Sequence, residues 1–454
     1  MQRDEFIQKL FDRARERAGN APDFACEASY SASSEFEVNV LNGEILKYGV
    51  SDSGGLGFRV LVNGKMGYAS TQILDEAAVD QLVDGALENA ALVESEDEQF
   101  IWKGDESYPE LDLYNPALEQ LTAAQKIGMA KELERLTLAQ DPRIGRLEDC
   151  GVFSACEESG IVNSKGLNVS VKGNLLGGYA VPIAKEGEKV NSGFKVFFVL
   201  DPAGIDLERT AKEAADEAIA GLNGAPVPSA GYRVLLRRDV AAALLATFSG
   251  VFSADNAQRG LSRLKGREGD AVAAPCVTIL DDPHRPDSAS SRPFDGEGVA
   301  TVVKAVVEDG RLNTLLHNLK TAKKQGVATT ANASRPGYAA PVGVAPSNFY
   351  FKPGGQDFDA MLAALDDGLL ITDLQGMHAG ANPITGDFSL AAKGFRVRGG
   401  RAAEPVAQIT VAGNFYDLLR DVEAVGSDLE FQPPGNSCFG SPSLLVKALS
   451  VAGE

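Results

Sequence analysis

The chain has 454 residues, of which 44% are hydrophobic, and a formal net charge of −20 at pH 7. Its length allows two to three domains at roughly 150 residues each, and the strong negative charge excludes attraction to nucleic acid or to an anionic membrane surface, both densely negative themselves. Five scattered cysteines without a Cys-x-x-Cys pair, Cys26, Cys150, Cys156, Cys276 and Cys438, fit reduced thiols in a cytoplasmic protein.

The N-terminal segment is charged from Arg3 onward and places Phe6, Leu10 and Phe11 on one helical face, which reads as an amphipathic helix without an export signal. Residues 25 to 71 alternate apolar and polar side chains. Two Asn-Gly dipeptides, Asn42-Gly43 and Asn63-Gly64, predict tight hairpins there, because both central positions of a type I′ turn need positive φ. Helices follow over 75 to 93 and 116 to 140, the first with Val79, Leu82, Val83, Ala86 and Leu87 at helical spacing. An acidic linker over 94 to 108 separates them and holds the only tryptophan, Trp102.

A second strand-rich passage covers 145 to 200, with turns at Ser164-Lys165-Gly166 and Glu186-Gly187-Glu188, and a helix covers 205 to 222. The Pro- and Gly-rich run 223 to 231 is the clearest linker. Beyond it come a strand over 232 to 236 and an apolar helical stretch over 240 to 254, too short to span a bilayer at roughly 20 residues. Strands then dominate, with turns at Asp309-Gly310 and Gly399-Gly400 and short helices over 357 to 365 and 415 to 425. Strands with segregated helices predict an α+β fold of two domains. Residues 1 to 222 form an N-terminal mixed helix and antiparallel-sheet domain, 223 to 231 a linker, and 232 to 454 a strand-rich C-terminal domain.

Several segments carry a family resemblance. Phe294-Asp295-Gly296-Glu297-Gly298-Val299-Ala300-Thr301 is similar to an Asp-x-Glu-Gly-x-x-Thr element, Thr385-Gly386-Asp387-Phe388-Ser389 to a glycine-rich Thr-Gly-Asp-Phe/Tyr-Ser loop, and Gly55-Leu56-Gly57-Phe58-Arg59-Val60 to a Gly-x-Gly-x-Arg-Val strand entry. Gln258-Arg259-Gly260-Leu261-Ser262 and Lys265-Gly266 look like an Arg-Gly-x-Ser and small-Gly sequence. Taken in chain order, all four resemble elements of the TldD/PmbA metallopeptidases, whose two-domain α+β architecture the resemblance implies. On this frame Leu245-Ala246-Thr247-Phe248-Ser249-Gly250 stands where TldD-type members have His-Glu-x-x-x-His. Leu245 and Gly250 replace the metal-binding histidines and Ala246 the general base. Zinc hydrolysis needs a pair of imidazoles on one helix face, a third ligand and a carboxylate base; leucine, alanine and glycine supply none of these. The resemblance therefore implies a PmbA/TldE-type chain with no catalytic residue, metal or cofactor of its own.

Other residues offer chemistry. Cys438 lies where TldD-type members carry a cysteine ligand, and reads either as a metal ligand or as a buried free thiol. His378, among Gly376, Gly380 and Gly386, is a hydrogen-bond donor or general base for a bound peptide, or a turn histidine held by Asp373 or Asp387. Asp295 and Glu297 are a cation-holding or proton-sharing pair near a central cleft, or a solvated turn. Asp295, Glu297, His378 and Asp387 are the substrate-binding candidates. His284 reads as a solvated loop residue and His317 as packed or surface-exposed. No Gly-x-Ser-x-Gly elbow or nucleotide fingerprint is present.

The reading that follows is a cytoplasmic, non-catalytic subunit that holds unfolded peptides beside a TldD-type partner carrying the zinc, and serves peptide maturation. The alternatives are a homo-oligomeric (dimeric) peptide- or ligand-binding protein and a zinc-independent hydrolase using His378.

Overall fold

In the computed structural model, which describes every residue except Pro22, Ser95 and Glu96, both Asn-Gly dipeptides turn as expected. Asn42 and Gly43 have φ of 55° and 75°, and Asn63 and Gly64 of 52° and 74°. This left-handed pair matches the twist of the flanking strands. The hairpins fold Ala25–Leu41, Glu44–Val62 and Lys65–Thr71 into an antiparallel meander. Ile144–Asn163 and Asn168–Glu186 extend it on the other side, and Lys189–Ser192 and Lys195–Val199 complete seven strands among the described residues.

Alternate residues of these strands face helices. Cys26, Ala28, Tyr30, Leu56, Phe58 and Val60 pack on the helices Arg3–Ala18 and Glu76–Leu92. Further along the same strand, Phe36, Val38 and Val40 join Cys150 and Val152 against the helices Ala123–Leu138 and Leu207–Ala220. Each fully buried leucine or phenylalanine here contributes about 1.5–3 kcal/mol. The predicted helix over 116 to 140 is broken in two because Thr122 and Gln125 form a capping box that starts Ala123–Leu138 afresh after the short turn Pro116–Glu119.

The other face of the sheet is polar or small: Glu27, Ser29 and Ser31 on one strand, Ala155, Glu157 and Ser159 on its neighbour. A face of this kind normally meets water. Here it meets the second half of the chain, and that choice positions the site.

In the second half, Ala230–Leu236, Gly368–Gln375, Asp387–Arg398, Arg401–Asn414 and Leu444–Ala452 pair in a closed ring, parallel only between the first two. Closure removes free edges. A second sheet contains Ile279–Asp281, Asn348–Phe351 and Cys438–Ser441. The helix Arg238–Phe248 is embedded in the core of this half: Leu244, Leu245 and Phe248 are buried, and Phe248 stacks on Phe415 with centroids 4.8 Å apart.

Two expectations need correction. Residues 254 to 347 are mostly irregular, with the helix Leu319–Gln325 among them, because buried side-chain hydrogen bonds do there what strand ladders were expected to do. The helix predicted over 415 to 425 stops at Asp421, and Val422–Val425 becomes a strand whose valines pair with Leu444–Ala452. Among the described residues no helix is long and apolar enough to cross a membrane.

Candidate functional site

The stretch Leu245 to Gly250 straddles a change of geometry: the α-helix ends at Phe248 and a 3-10 turn, Ser249–Phe252, follows. Position 245 therefore lies on the α-helix and position 250 on the tighter turn that follows it. Leu245 is fully buried in apolar core. Gly250 donates no side chain, and a Cβ there would stand 3.1 Å from the Asn256 amide nitrogen, which donates to the Gly250 carbonyl at 2.9 Å. Zinc takes nitrogen, sulfur or carboxylate donors, and these residues do not fit it. Among the described residues no cluster of three or more His, Cys, Asp or Glu side chains is placed to hold a metal.

The glycine-rich loop covers this helix end, with Met377 Sδ 3.4 Å from Thr247 Oγ1. Its glycines serve packing. A Cβ on Gly380 would meet the Ser389 carbonyl at 2.3 Å, and one on Gly386, where φ is 82°, would meet the Tyr416 ring at 2.7 Å. His378 is exposed, and neither expected aspartate holds it: Asp373 accepts from Gln375 at 2.6 Å and Asp387 from Asn414 at 2.7 Å. Of the two remaining histidines, His284 is more enclosed than a solvated loop residue, and His317 is packed, one of the two states expected for it. His284 Nε2 lies 3.0 Å from Thr301 Oγ1, and His317 is buried with its Nδ1 unpartnered, which pushes its pKa below the ordinary value.

Cys438 is a buried thiol that donates to the Gln432 carbonyl at 3.2 Å, and burial pushes its pKa up to about 11. It borders a chamber with Arg238, Ser288 and Gln432, and among the described residues no second soft ligand lines that chamber.

Asp295 and Glu297 are brought together, and neither is the solvated turn residue that their spacing allows: their exposures are 2% and 4%. Asp295 accepts the backbone N–H groups of Glu297, Val299 and Ala333 at 2.8, 3.1 and 2.9 Å. Glu297 accepts from Leu319 N at 2.8 Å. Burial pushes both carboxyls above their usual range, and the neighbouring charge of Glu297 adds to the shift on Asp295. Their oxygens are engaged by the chain itself, so the pair shapes the loop that borders the cleft.

Beside them lies a network that sequence reading missed. Arg59 and Arg335 both face Glu27 Oε1, at 2.8 and 2.6 Å, and Arg59 reaches Glu297 at 3.9 Å. Glu27 and Arg59 come from the first sheet, Glu297 and Arg335 from the second half. Burial acts against the Glu27 carboxylate, but the two guanidiniums outweigh it and hold its pKa below the usual range. The glycines of the strand entry now have a cause: a Cβ on Gly57 would lie 1.8 Å from the Tyr338 carbonyl, and one on Gly55 2.3 Å from the Tyr338 ring. The residues 94 to 108, of which 95 and 96 lie outside the described residues, close the junction from the other side. Trp102 Nε1 donates to Asp105, which accepts from Ala300 N, and the Tyr108 hydroxyl donates to the Gly298 carbonyl at 2.8 Å.

Between the halves runs a cleft of three adjoining chambers of about 370, 230 and 170 Å³. Its floor is the polar face of the first sheet, with Ser29, Ser31, Glu157, Ser159 and Gly173. Its roof is irregular chain from the second half, including Ser290, Arg292, Arg335 and Asn436. Asp295 borders the smallest chamber and Cys438 the largest. His378 and Asp387 line none of the three.

Three models of a metallopeptidase family match this chain, which joins a helix-backed sheet across a polar cleft to a barrel half. They are described as the PmbA/TldA metallopeptidase C-terminal domain, domain 1 and central domain, over residues 229–453, 26–90 and 116–222. The chain belongs to the PmbA/TldD family. It is similar to the metalloprotease PmbA of Escherichia coli O157:H7, 27% identical over 99% of this chain and 96% of the relative. A solved structure from Thermotoga maritima, described as a proposed modulator of a DNA gyrase, is 34% identical with a TM-score of 0.90, covering 99% of this chain and 100% of that one. TldE from Thermococcus kodakarensis, at 21% identity and a TM-score of 0.88, covers 99% of this chain and 100% of its own and shares the fold.

Proposed function

We propose that this chain is a PmbA/TldE-type, non-catalytic subunit of a cytoplasmic peptidase complex, holding unfolded peptide in its central cleft while a TldD-type partner carries the zinc and performs hydrolysis. The observation that carries this reading is the residue set at the helix end: Leu245, Ala246 and Gly250 provide no metal donor and no base, while an open cleft persists between the halves. The floor of small side chains, Ser31, Ser159 and Gly173, leaves room for a peptide backbone. It is a sheet face, so recognition there rests on side chains and on the roof, and strand addition is confined to edges elsewhere.

A homo-oligomeric binding protein is the second reading. It draws on the strand Glu44–Val62, whose first half is not covered by Lys65–Thr71 and exposes Leu46, Tyr48 and Val50. An unpaired apolar edge is a natural subunit contact.

Native mass spectrometry of the tagged chain from its own host extract separates the two. A heteromer with a partner bearing His-Glu-x-x-x-His supports the silent-subunit reading; a homo-oligomer with no such partner replaces it with the second.

A further inference from the structure

The cations that line the cleft are not equally paired. In the largest chamber Lys195 meets Glu430 and Glu213 at 2.9 and 3.2 Å, and Arg238 meets Glu430 at 2.5 Å. In the two smaller chambers, which share Arg292, Arg335 and Asn436, the balance differs. Arg292 faces no carboxylate within ion-pair distance among the described residues. Its Nη2 donates only to the carbonyls of Pro346 and Asn436, at 3.2 and 2.6 Å. Arg335, with its side chain 9% exposed, shares its one carboxylate oxygen, Glu27 Oε1, with Arg59, and its Nε is enclosed without a partner. Of the two cleft guanidiniums, then, only Arg335 has an ion-pair partner, Glu27, which it shares with Arg59, while Asp281 and Asp295 act on Arg292 from beyond ion-pair distance. A guanidinium withdrawn from water and facing neutral oxygens is poorly compensated, and its planar fork matches a carboxylate.

We propose that the middle of the cleft is an anion pocket in which Arg292 and Arg335 receive the terminal carboxylate of a bound peptide. This rests on the reading of the chain as a peptide holder and adds which end of the peptide it takes. Glu157 selects among anions. It lies on the floor of both chambers and, among the described residues, makes no hydrogen bond or ion pair. It repels a phosphate dianion, whereas a peptide end brings a single charge together with a backbone N–H that Glu157 can accept. Ser159 and Gly173 beside it leave space for that backbone.

The test titrates the full chain, by fluorescence anisotropy, into an N-terminally labelled mixed-sequence peptide made with a free C-terminal carboxylate and again as its C-terminal amide. Charge-assisted hydrogen bonds of this kind predict that amidation weakens binding about 10- to 100-fold. Arg292→Gln should abolish that difference, and because Arg292 bonds only to carbonyls its fold should survive, as a thermal melt checks. Arg335→Gln should do the same if it folds without its bond to Glu27. Glu157→Gln should keep the difference and let inorganic phosphate, a poor competitor of the native chain, compete better. Equal binding of acid and amide overturns the carboxylate pocket and leaves peptide holding intact. Binding of neither form overturns peptide holding and the pocket with it. Phosphate that displaces the peptide readily from the native chain overturns the choice of a carboxylate.

Discussion

Replacing Glu27 by glutamine should uncouple the two halves of the molecule. Glu27 has no exposed surface, and its Oε1 is the shared partner of Arg59 at 2.8 Å and Arg335 at 2.6 Å. Glutamine keeps the shape but removes the charge, leaving Arg59 only Glu297 at 3.9 Å. Breaking a buried pair from one side costs about 3–5 kcal/mol, because the remaining charge stays buried without compensation. For a half of roughly 200 residues that lowers Tm by about 6–20 °C. Trp102, the only tryptophan, is hydrogen-bonded at the junction, so its fluorescence during thermal and urea denaturation follows this event directly. Glu158→Gln is the control: its pair with Arg3 is only part-buried, with both side chains more than a third exposed, and its loss should cost under about 1 kcal/mol. The pH dependence has a definite sign. Since the folded Glu27 pKa lies below its unfolded value, its stabilisation is present above the ordinary glutamate pKa of about 4.3 and is lost as pH falls through the folded value. E27Q should lack that acid loss. A variant that melts within about 2 °C of the native chain would refute the reasoning.

Other outcomes follow from the same geometry. Asp295 and Glu297 have raised pKa values in the fold, so their contribution to stability is greatest below about 4 and is lost as pH rises through the folded values; Glu297→Gln should flatten that decline in melts taken across pH. Gly57→Ala should destabilise by about 1–3 kcal/mol, since the Tyr338 carbonyl occupies the new Cβ position, whereas Gly49→Ala, with open space, should be neutral or stabilise by up to about 1 kcal/mol; paired urea titrations check both. Leu245→Ala should cost about 2–5 kcal/mol as a core truncation. His378→Ala should leave both stability and peptide binding within error, because the ring is exposed and, among the described residues, makes no hydrogen bond.

The elements were legible where local chemistry decides them. Asn42-Gly43 and Asn63-Gly64 could only be tight turns, and the 3.6-residue spacing of Val79, Leu82, Val83 and Ala86 marked a helix that runs as Glu76–Leu92. The α+β class followed from the same signals. The site was legible in parts. The absence of donors at 245, 246 and 250 is written in the chain, whereas the Gly55-Leu56-Gly57 segment read only as a strand entry, and its close approach to Tyr338 emerged from the structure. The network of Glu27, Arg59 and Arg335 was invisible because its members are 32 and 276 residues apart, and each looks like an ordinary strand or loop charge. One signal could have found it: Glu27 and Arg59 occupy alternating strands whose hairpin register sets them opposite each other. For Asp295 and Glu297 the sequence left a cleft pair and a solvated turn both open, since acids one residue apart look solvated until the backbone that buries them is known. The cleft floor was hidden because a polar sheet face reads as a wet one.

The central claim is that this polypeptide holds peptide and leaves hydrolysis to another chain. Its most direct test is the zinc content and peptidase activity of the pure chain, measured alone and again after a TldD-type relative is added. The account predicts no stoichiometric zinc and no turnover alone, with activity rising above that of the relative by itself when both are present. One zinc bound per chain with chelator-sensitive peptide cleavage by the pure protein would contradict it.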